Sequence, residues 1–265
     1  MLELNNIYKI FNPGTVNQKV ALNGVSLTLQ DGDFVTVIGG NGAGKSTLLN
    51  AIAGVWPVDF GTILIDGINI TKMPEHKRAK FIGRVFQDPM MGTASTMGID
   101  ENMALAQRRG KFHGFSWGSG RKEREAYRRK LQSLGLGLED RLTSKVGLLS
   151  GGQRQAVTLL MASLQRPKLL LLDEHTAALD PKTAEKVLEL SDRIIAENNL
   201  TAMMVTHNMK AAITHGNRLI MMHEGQIIID VSGEEKQKLT VEDLLQMFER
   251  ASGAEFANDR TLLSD

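Results

Sequence analysis

The sequence predicts an α/β fold: a parallel-stranded core, an antiparallel β region before it and a helical subdomain inserted into it. Three observations predict this. A glycine-rich loop, Gly39 to Ser46, separates an apolar, β-branched run (Phe34-Val35-Thr36-Val37-Ile38) from a helical segment that starts at Lys45 and ends at Gly54. Four consecutive leucines, Leu169 to Leu172, read as a strand buried on both faces, as in parallel sheets. Residues 90–148 change character, with helical periodicity, several glycines and few β-branched runs.

The elements follow in order. Over residues 1–38, alternation at Leu2, Leu4 and Ile7, and again at Val25, Leu27 and Leu29, predicts short antiparallel strands. Asn12-Pro13-Gly14 and Gln30-Asp31-Gly32-Asp33 supply the turns. Phe11 reads as core, with stacking on a base as the alternative. Gly61 to Gly67 reads as a strand with a turn at each end, and Phe81 to Phe86 as another. Gln87 ends the latter: a polar contact to metal or water, or a solvated turn residue. Met90, Met91, Met97 and Met103 form either an adaptable partner surface or core filling. Arg108 to Lys130 carries nine basic and two acidic residues, with Phe112, Phe115 and Trp117 among glycines. That pattern fits a solvated basic helix face better than a nucleic-acid or lipid patch. Asp180-Pro181 predicts a helix start, with Ala184, Val187, Leu188, Ser191, Ile194 and Ile195 on its buried face. Ala202 to Val205 is a further strand. Leu219–Met222 and Gln226–Ile229 pair as a hairpin around Glu224-Gly225. Thr240 to Asp243 opens a helix with Leu244, Leu245 and Phe248 on its apolar face, and residues 251–265 read as a frayed tail.

The chemistry lies at the loops. Gly39-Gly40-Asn41-Gly42-Ala43-Gly44-Lys45-Ser46 is G-x-x-x-x-G-K-[ST], the phosphate-binding P-loop, in its required strand–loop–helix setting. Glycines let backbone N–H groups curl around phosphate oxygens, and the helix N-terminus adds its positive dipole end. Lys45 reaches the β and γ phosphates and the Ser46 hydroxyl ligates Mg²⁺. Leu149-Ser150-Gly151-Gly152-Gln153 opens a second long helix, another end suited to an anion, with an ordinary N-cap as the bland alternative. Asp173 and Glu174 stand at the C-terminal end of the leucine strand, where α/β sheets place ligands. There Asp173 would reach Mg²⁺ through water and Glu174 would polarise an attacking water. His207 follows the 202–205 strand and is a candidate γ-phosphate contact, or merely structural.

Composition limits the remaining possibilities. With 31 basic and 30 acidic residues the 265-residue chain has no global pull toward nucleic acid. The absence of cysteine excludes disulfides and thiolate metal sites. The N-terminus has no signal-peptide pattern and no run approaches 18 apolar residues, so a soluble chain is expected whose membrane role would need a partner.

The P-loop, Gln87, Leu-Ser-Gly-Gly-Gln and the Leu₄-Asp-Glu strand, in that order, resemble the ATP-binding cassette family, the ATPase subunits of ABC transporters. The resemblance covers about residues 2–230 and implies the ABC ATPase fold. It divides the chain into a P-loop ATPase core (1–88 and 166–230), a helical signature subdomain (89–165) and a short C-terminal helix and tail (231–265). By this resemblance Phe11 stacks on adenine. ATP is held by Gly39, Gly40, Asn41, Gly42, Ala43, Gly44, Lys45, Ser46, Thr47 and Gln87. Ser150, Gly151, Gly152 and Gln153 form the signature, which meets the ATP of a partner subunit. Ser46, Gln87 and Asp173 serve Mg²⁺, Glu174 and His207 are catalytic, and Asp180 belongs to the D-loop. The implied partners are a second copy in a head-to-tail homodimer, transmembrane permease subunits and an extracytoplasmic solute-binding protein, with no nucleic acid. The implied location is the cytoplasmic face of the cell membrane, and the function is ATP-driven transport, most similar to amino-acid uptake. A soluble cassette acting on ribosomes or DNA is the alternative. Two departures stand out: His175 where the family often has proline, and Met161-Ala162-Ser163 where Ala-Arg-Ala is frequent.

Overall fold

The computed structural model describes residues 1–110 and 119–252. In chain order the elements begin β1 (Leu2–Phe11), β2 (Lys19–Leu29), β3 (Phe34–Ile38), α1 (Lys45–Ala53), β4 (Phe60–Ile65), β5 (Ile68–Asn69) and α2 (Glu75–Arg78). They continue with β6 (Ile82–Val85), α3 (Ile99–Gln107), α4 (Arg121–Gln132), a 3-10 turn at Val146–Leu148, α5 (Gly151–Ser163), β7 (Leu169–Asp173) and α6 (Pro181–Asn198). The chain closes with β8 (Ala202–Val205), α7 (Met209–Thr214), β9 (Arg218–His223), β10 (Gln226–Ser232), α8 (Gly233–Lys238) and α9 (Val241–Ser252). Two compact units emerge: Met1–Arg78 with Leu200–Asp265, and Ala79–Asn199.

The first unit holds two sheets. In one, β1 pairs antiparallel with both β2 and β4, so Leu2 faces Leu29 on one side and Ile65 on the other. The expected alternation is present: Leu2, Leu4, Ile7, Val25, Leu27 and Leu29 are all buried, and Ile63 and Ile65 close the same layer. In the other, β3 runs parallel between β8 and β9, and β10 returns antiparallel along β9. Every residue of β3 and β8 is buried, which is why both read as continuous apolar runs.

Two buried cations tie helix ends in this unit. Arg78, 2% exposed, donates to the carbonyls of Ala51 and Ile52 at the end of α1 and to those of Met73 and Thr71, all within 2.9 Å. A guanidinium there meets the negative end of the α1 dipole and satisfies carbonyls that the helix leaves open. Burial holds the Arg78 guanidinium below its ordinary pKa. Lys236 on α8 is also 2% exposed, and its ammonium donates to Ile213, His215 and Gly216 carbonyls at the end of α7. α9 lays Leu244 and Phe248 onto a cluster with Ile38, Met221 and Ile229, and Leu245 packs at its edge.

In the second unit β6 and β7 pair in parallel, with Arg84 opposite Leu171 and Val85 opposite Leu172. Leu169 to Leu172 are fully buried, as the four-leucine run predicts. Gly83 leaves room for the carbonyl of Ala162 on α5, which a Cβ would meet at 2.6 Å. On α6 the buried face is Val187, Leu190, Ser191, Ile194 and Ile195. Ala184 and Leu188, expected on that face, are only half-buried, and Leu190 takes the place instead because the stripe is centred one position further round. The methionine run divides: Met103 is core, Met97 is half-buried, and Met90 and Met91 are exposed. Several cations of the basic stretch pair with carboxylates, Arg124 with buried Asp100 at 2.8 Å and Arg108 with Glu123 at 3.0 Å. Phe112, Phe115 and Trp117, and the tail beyond residue 252, lie outside the described residues. Among the described residues no helix is long and apolar enough to cross a membrane.

Candidate active site

In the first unit β3 runs directly into the glycine loop, and the loop is shaped by what surrounds it. Gly39 has φ 150°, and a Cβ there would stand 2.2 Å from the Met222 carbonyl oxygen of β9. Gly44, with φ 104°, would meet the Ala21 carbonyl oxygen at 2.6 Å. No other residue satisfies both the backbone angle and the space. The β9–β10 turn props the loop, since Gly225 N–H donates to the Ala43 carbonyl at 3.0 Å. Gly44 precedes α1 without a side-chain cap, so the amides of the first turn are not claimed by one. Lys45 is buried and its ammonium donates to the Gly39 and Gly40 carbonyls at 2.7 and 3.1 Å, folded over the loop. Ser46 is exposed beside it and Thr47 half-buried. A cradle of amides with an ammonium at its centre is a site for a polyphosphate.

Two further residues share this unit. His207 is exposed just past β8, whose Val205 pairs with Val37 of β3, so it stands at the same sheet end as the loop. Phe11 is half-buried at the end of β1 and meets Trp56 edge-on at 5.0 Å, with the Lys9 ammonium 5.5 Å from its ring. Its cross-strand partner Lys19 brings its ammonium to 3.3 Å from where a Cβ on Gly42 would lie.

The second unit collects the other candidates. Asp173 ends β7, and Glu174 follows with φ 42°, a left-handed conformation that few side chains adopt. His175 turns inward, 2% exposed, with Nε2 2.9 Å from the Ser191 hydroxyl of α6. Ser191 in turn donates to the Val187 carbonyl. Arg84 of β6 places Nη2 3.2 Å from Asp173 Oδ2. Gln87, exposed, lies two residues past Val85, at the same end of the β6–β7 pair. The signature helix is tied to that end, because the buried Gln155 donates from Nε2 to the Phe86 carbonyl at 3.2 Å.

The start of α5 is a capping box. The Gln153 N–H donates to Ser150 Oγ at 3.3 Å, and the Ser150 N–H donates to Gln153 Oε1 at 3.2 Å. Both the cap and the signature expectation therefore fall on the same residues. Gly151 and Gly152 pack closely on the next segment. A Cβ on Gly151 would stand 3.2 Å from Leu179, and one on Gly152 would stand 2.2 Å from Thr183 Cγ2. Asp180 caps α6 by accepting from the Thr183 N–H at 3.1 Å, and this hydrogen bonding holds its carboxyl below the usual carboxylate range.

No group of three or more His, Cys, Asp or Glu fit to hold a metal exists among the described residues. The Ser46 hydroxyl in the first unit, and the Gln87 amide and Asp173 carboxylate in the second, are each hard oxygen donors of the kind that Mg²⁺ takes.

Sequence reasoning missed three contacts here: Arg84 to Asp173, His175 to Ser191, and Trp56 against Phe11. The first left a signal, a lone arginine within the apolar run Phe81 to Phe86.

Residues 22–177 match the model of the ABC transporter family. Over 251 residues the chain is 45% identical to the tyrosine transport ATP-binding protein of Clostridioides difficile, covering 95% of this chain and all of that one. It is 34% identical to the spermidine/putrescine import ATP-binding protein PotA of Haemophilus influenzae, over 89% of this chain and 59% of PotA. It is 32% identical to the methionine import ATP-binding protein MetN of Bartonella henselae, over 86% of this chain and 64% of MetN. A dimeric ATP-binding cassette in a post-hydrolysis state bound to ADP and Pi superposes with TM-score 0.74 at 30% identity, over 88% of this chain and 98% of that one.

Proposed function

The chain belongs to the ATP-binding cassette family and is an ATP-hydrolysing subunit of an ABC transporter, and on that premise we propose that it drives uptake of an aromatic amino acid of the tyrosine class. The observation that carries this reading is the 45% identity to a tyrosine transport ATP-binding protein along that protein's whole length. The import functions in the names of the spermidine/putrescine and methionine relatives support the inward direction. On this reading two copies pair head to tail and work at the cytoplasmic face of the membrane. They act through separate permease subunits that an extracytoplasmic solute-binding protein supplies. The exposed Met90 and Met91 beside Gln87 are a surface suited to a permease helix.

The roles proposed for the residues are those that the family resemblance implies. Phe11 stacks on adenine, and the loop amides from Gly39 to Thr47 hold the phosphates. Lys45 already lies over the loop, so its charge is in place when the β and γ phosphates arrive. Mg²⁺, served by Ser46, Gln87 and Asp173, supplies charge neutralisation on the phosphate oxygens. Glu174, presented by its left-handed turn, orients and deprotonates the attacking water, and His207 contacts the γ-phosphate. The signature amides of one copy face the ATP of the other, so each site needs both copies. Closing on ATP and opening after hydrolysis is the stroke passed to the permease.

The test is uptake of radiolabelled tyrosine in cells lacking this gene. Uptake is expected to fall to background and to return with the wild-type gene but not with Lys45→Ala. Undiminished tyrosine uptake in the deletion strain overturns the assignment of substrate.

A further inference from the structure

We propose that Arg84 is a built-in counter-ion for Asp173, which keeps a bare divalent cation from binding that carboxylate before nucleotide arrives. The proposal rests on the reading of Asp173 as the carboxylate that serves Mg²⁺. Arg84 is a positioning residue: it acts on the metal through Asp173.

The geometry is specific. Nη2 of Arg84 lies 3.2 Å from Asp173 Oδ2, and the two side chains are only 13% and 14% exposed. The guanidinium also lies over the Phe86 ring, 4.6 Å from its centroid. The group is thus held between an aromatic ring and the carboxylate, which fixes it more firmly than a solvated pair. The strand that carries it is otherwise apolar, with Ile82, Gly83 and Val85 buried. A charge on such a strand is costly unless it is paired, and the Asp173 carboxylate is one partner that offsets that cost. The backbone register adds to the point. Arg84 pairs with Leu171, and its side chain reaches forward to the end of β7, where the acidic pair stands.

The consequence is electrostatic. A carboxylate with a guanidinium against one oxygen presents little net charge to an incoming cation, and the guanidinium repels that cation directly. Mg²⁺ bound to a triphosphate brings its own negative charge and its own ligands, so the same arginine opposes it much less. Cation and nucleotide then enter together, and the nucleotide-free subunit stays unloaded at cellular Mg²⁺.

Mn²⁺ is the probe, since it prefers the same oxygen ligands and its unbound form gives a paramagnetic signal. Titrated into the nucleotide-free full chain, Mn²⁺ is expected to bind Arg84→Met on the order of tenfold more tightly than wild type. Arg84→Lys, which keeps the charge, is expected to stay near wild type. Asp173→Asn added to Arg84→Met is expected to cancel the gain. A structural defect alone would weaken binding, so a gain is diagnostic. Equal or weaker Mn²⁺ binding by Arg84→Met overturns the proposal. If that variant loses its cooperative thermal transition, Arg84→Gln is read by the same criterion. Failure of the underlying reading looks different: Asp173→Asn alone would then leave binding of Mn²⁺ with ATP unchanged.

Discussion

The turn that opens α1 and the turn that opens α5 are both glycine-rich helix starts, yet glycine serves each for a different reason. At the P-loop, Gly39, Gly42 and Gly44 all have positive φ, and backbone oxygens of β9 and β2 press on the first and last of them. At the signature, neither Gly151 nor Gly152 has positive φ; the limit is a side chain, Leu179 for one and Thr183 for the other. The first turn has no side-chain cap and carries a buried lysine. The second is closed by a Ser150–Gln153 capping box, with no cation among Leu149 to Gln153. Two helix ends that share a dipole therefore differ in what they can do alone. One presents first-turn amides without a side-chain cap beside a buried ammonium, and at the other the Gln153 amide is already taken by the Ser150 cap while the Arg154 guanidinium is held by the Gly147 and Leu149 carbonyls.

The sharpest way to break this contrast is to remove the charges. Lys45→Ala is expected to lower ATP turnover by a factor on the order of 10² to 10³ and to abolish most nucleotide affinity. Glu174→Gln is expected to lower turnover by a factor on the order of 10² to 10⁴ while nucleotide binding persists. Steady-state hydrolysis and labelled-ATP binding separate the two. Lys45→Ala with wild-type affinity would remove the lysine from the first turn's function.

Next in size are the glycines themselves. Gly39→Ala drives a methyl into a fixed backbone oxygen, and a loss of roughly 3 kcal/mol of stability is expected. Gly152→Ala meets only the Thr183 methyl, 2.2 Å away, so a loss of roughly 1–2 kcal/mol is expected. Thr183→Ser removes that methyl and should recover most of the second loss. Urea unfolding of the single and double variants decides whether the signature glycine is a matter of space, as argued, or of backbone conformation.

Smaller effects come from the caps. Ser150→Ala is expected to cost about 1 kcal/mol in thermal unfolding, with no counterpart at Gly44, which supplies no side-chain cap. The Asp180 cap adds a pH dependence that a serine cap lacks. Its folded carboxyl titrates below the unfolded one, so its contribution is fully present above the unfolded pKa of about 4 and disappears as pH falls through the folded value. Asp180→Asn should flatten the stability profile in that acid range.

Most of the fold was legible because its signals are local. Glycine loops, the Asp180-Pro181 start and the four-leucine strand each carry their conformation within a few residues. Pairing of β1 with both β2 and β4 was not legible, since a period of two specifies a face and not a neighbour. The methionine run could not be apportioned either, because Met103 and Met91 have the same chemistry and differ only in what covers them. Within the site, residue identities were readable from motifs, while cross-strand contacts such as Arg84 with Asp173 were not. They depend on the β6–β7 register, which no local pattern encodes.

The reach of Lys236 gives the C-terminal segment an obligatory standing. A chain clipped after β10 would keep the whole nucleotide loop and hairpin, yet it would strip the ammonium from three carbonyls at the end of α7. It would also bare the apolar cluster that Leu244 and Phe248 cover. Those carbonyls lie in and just after the last turn of Met209 to Thr214, the helix that begins two residues after His207. Trimming what looks like a dispensable appendage would therefore loosen the helix that follows His207, so α8 and α9 belong to the folded unit that carries the glycine loop.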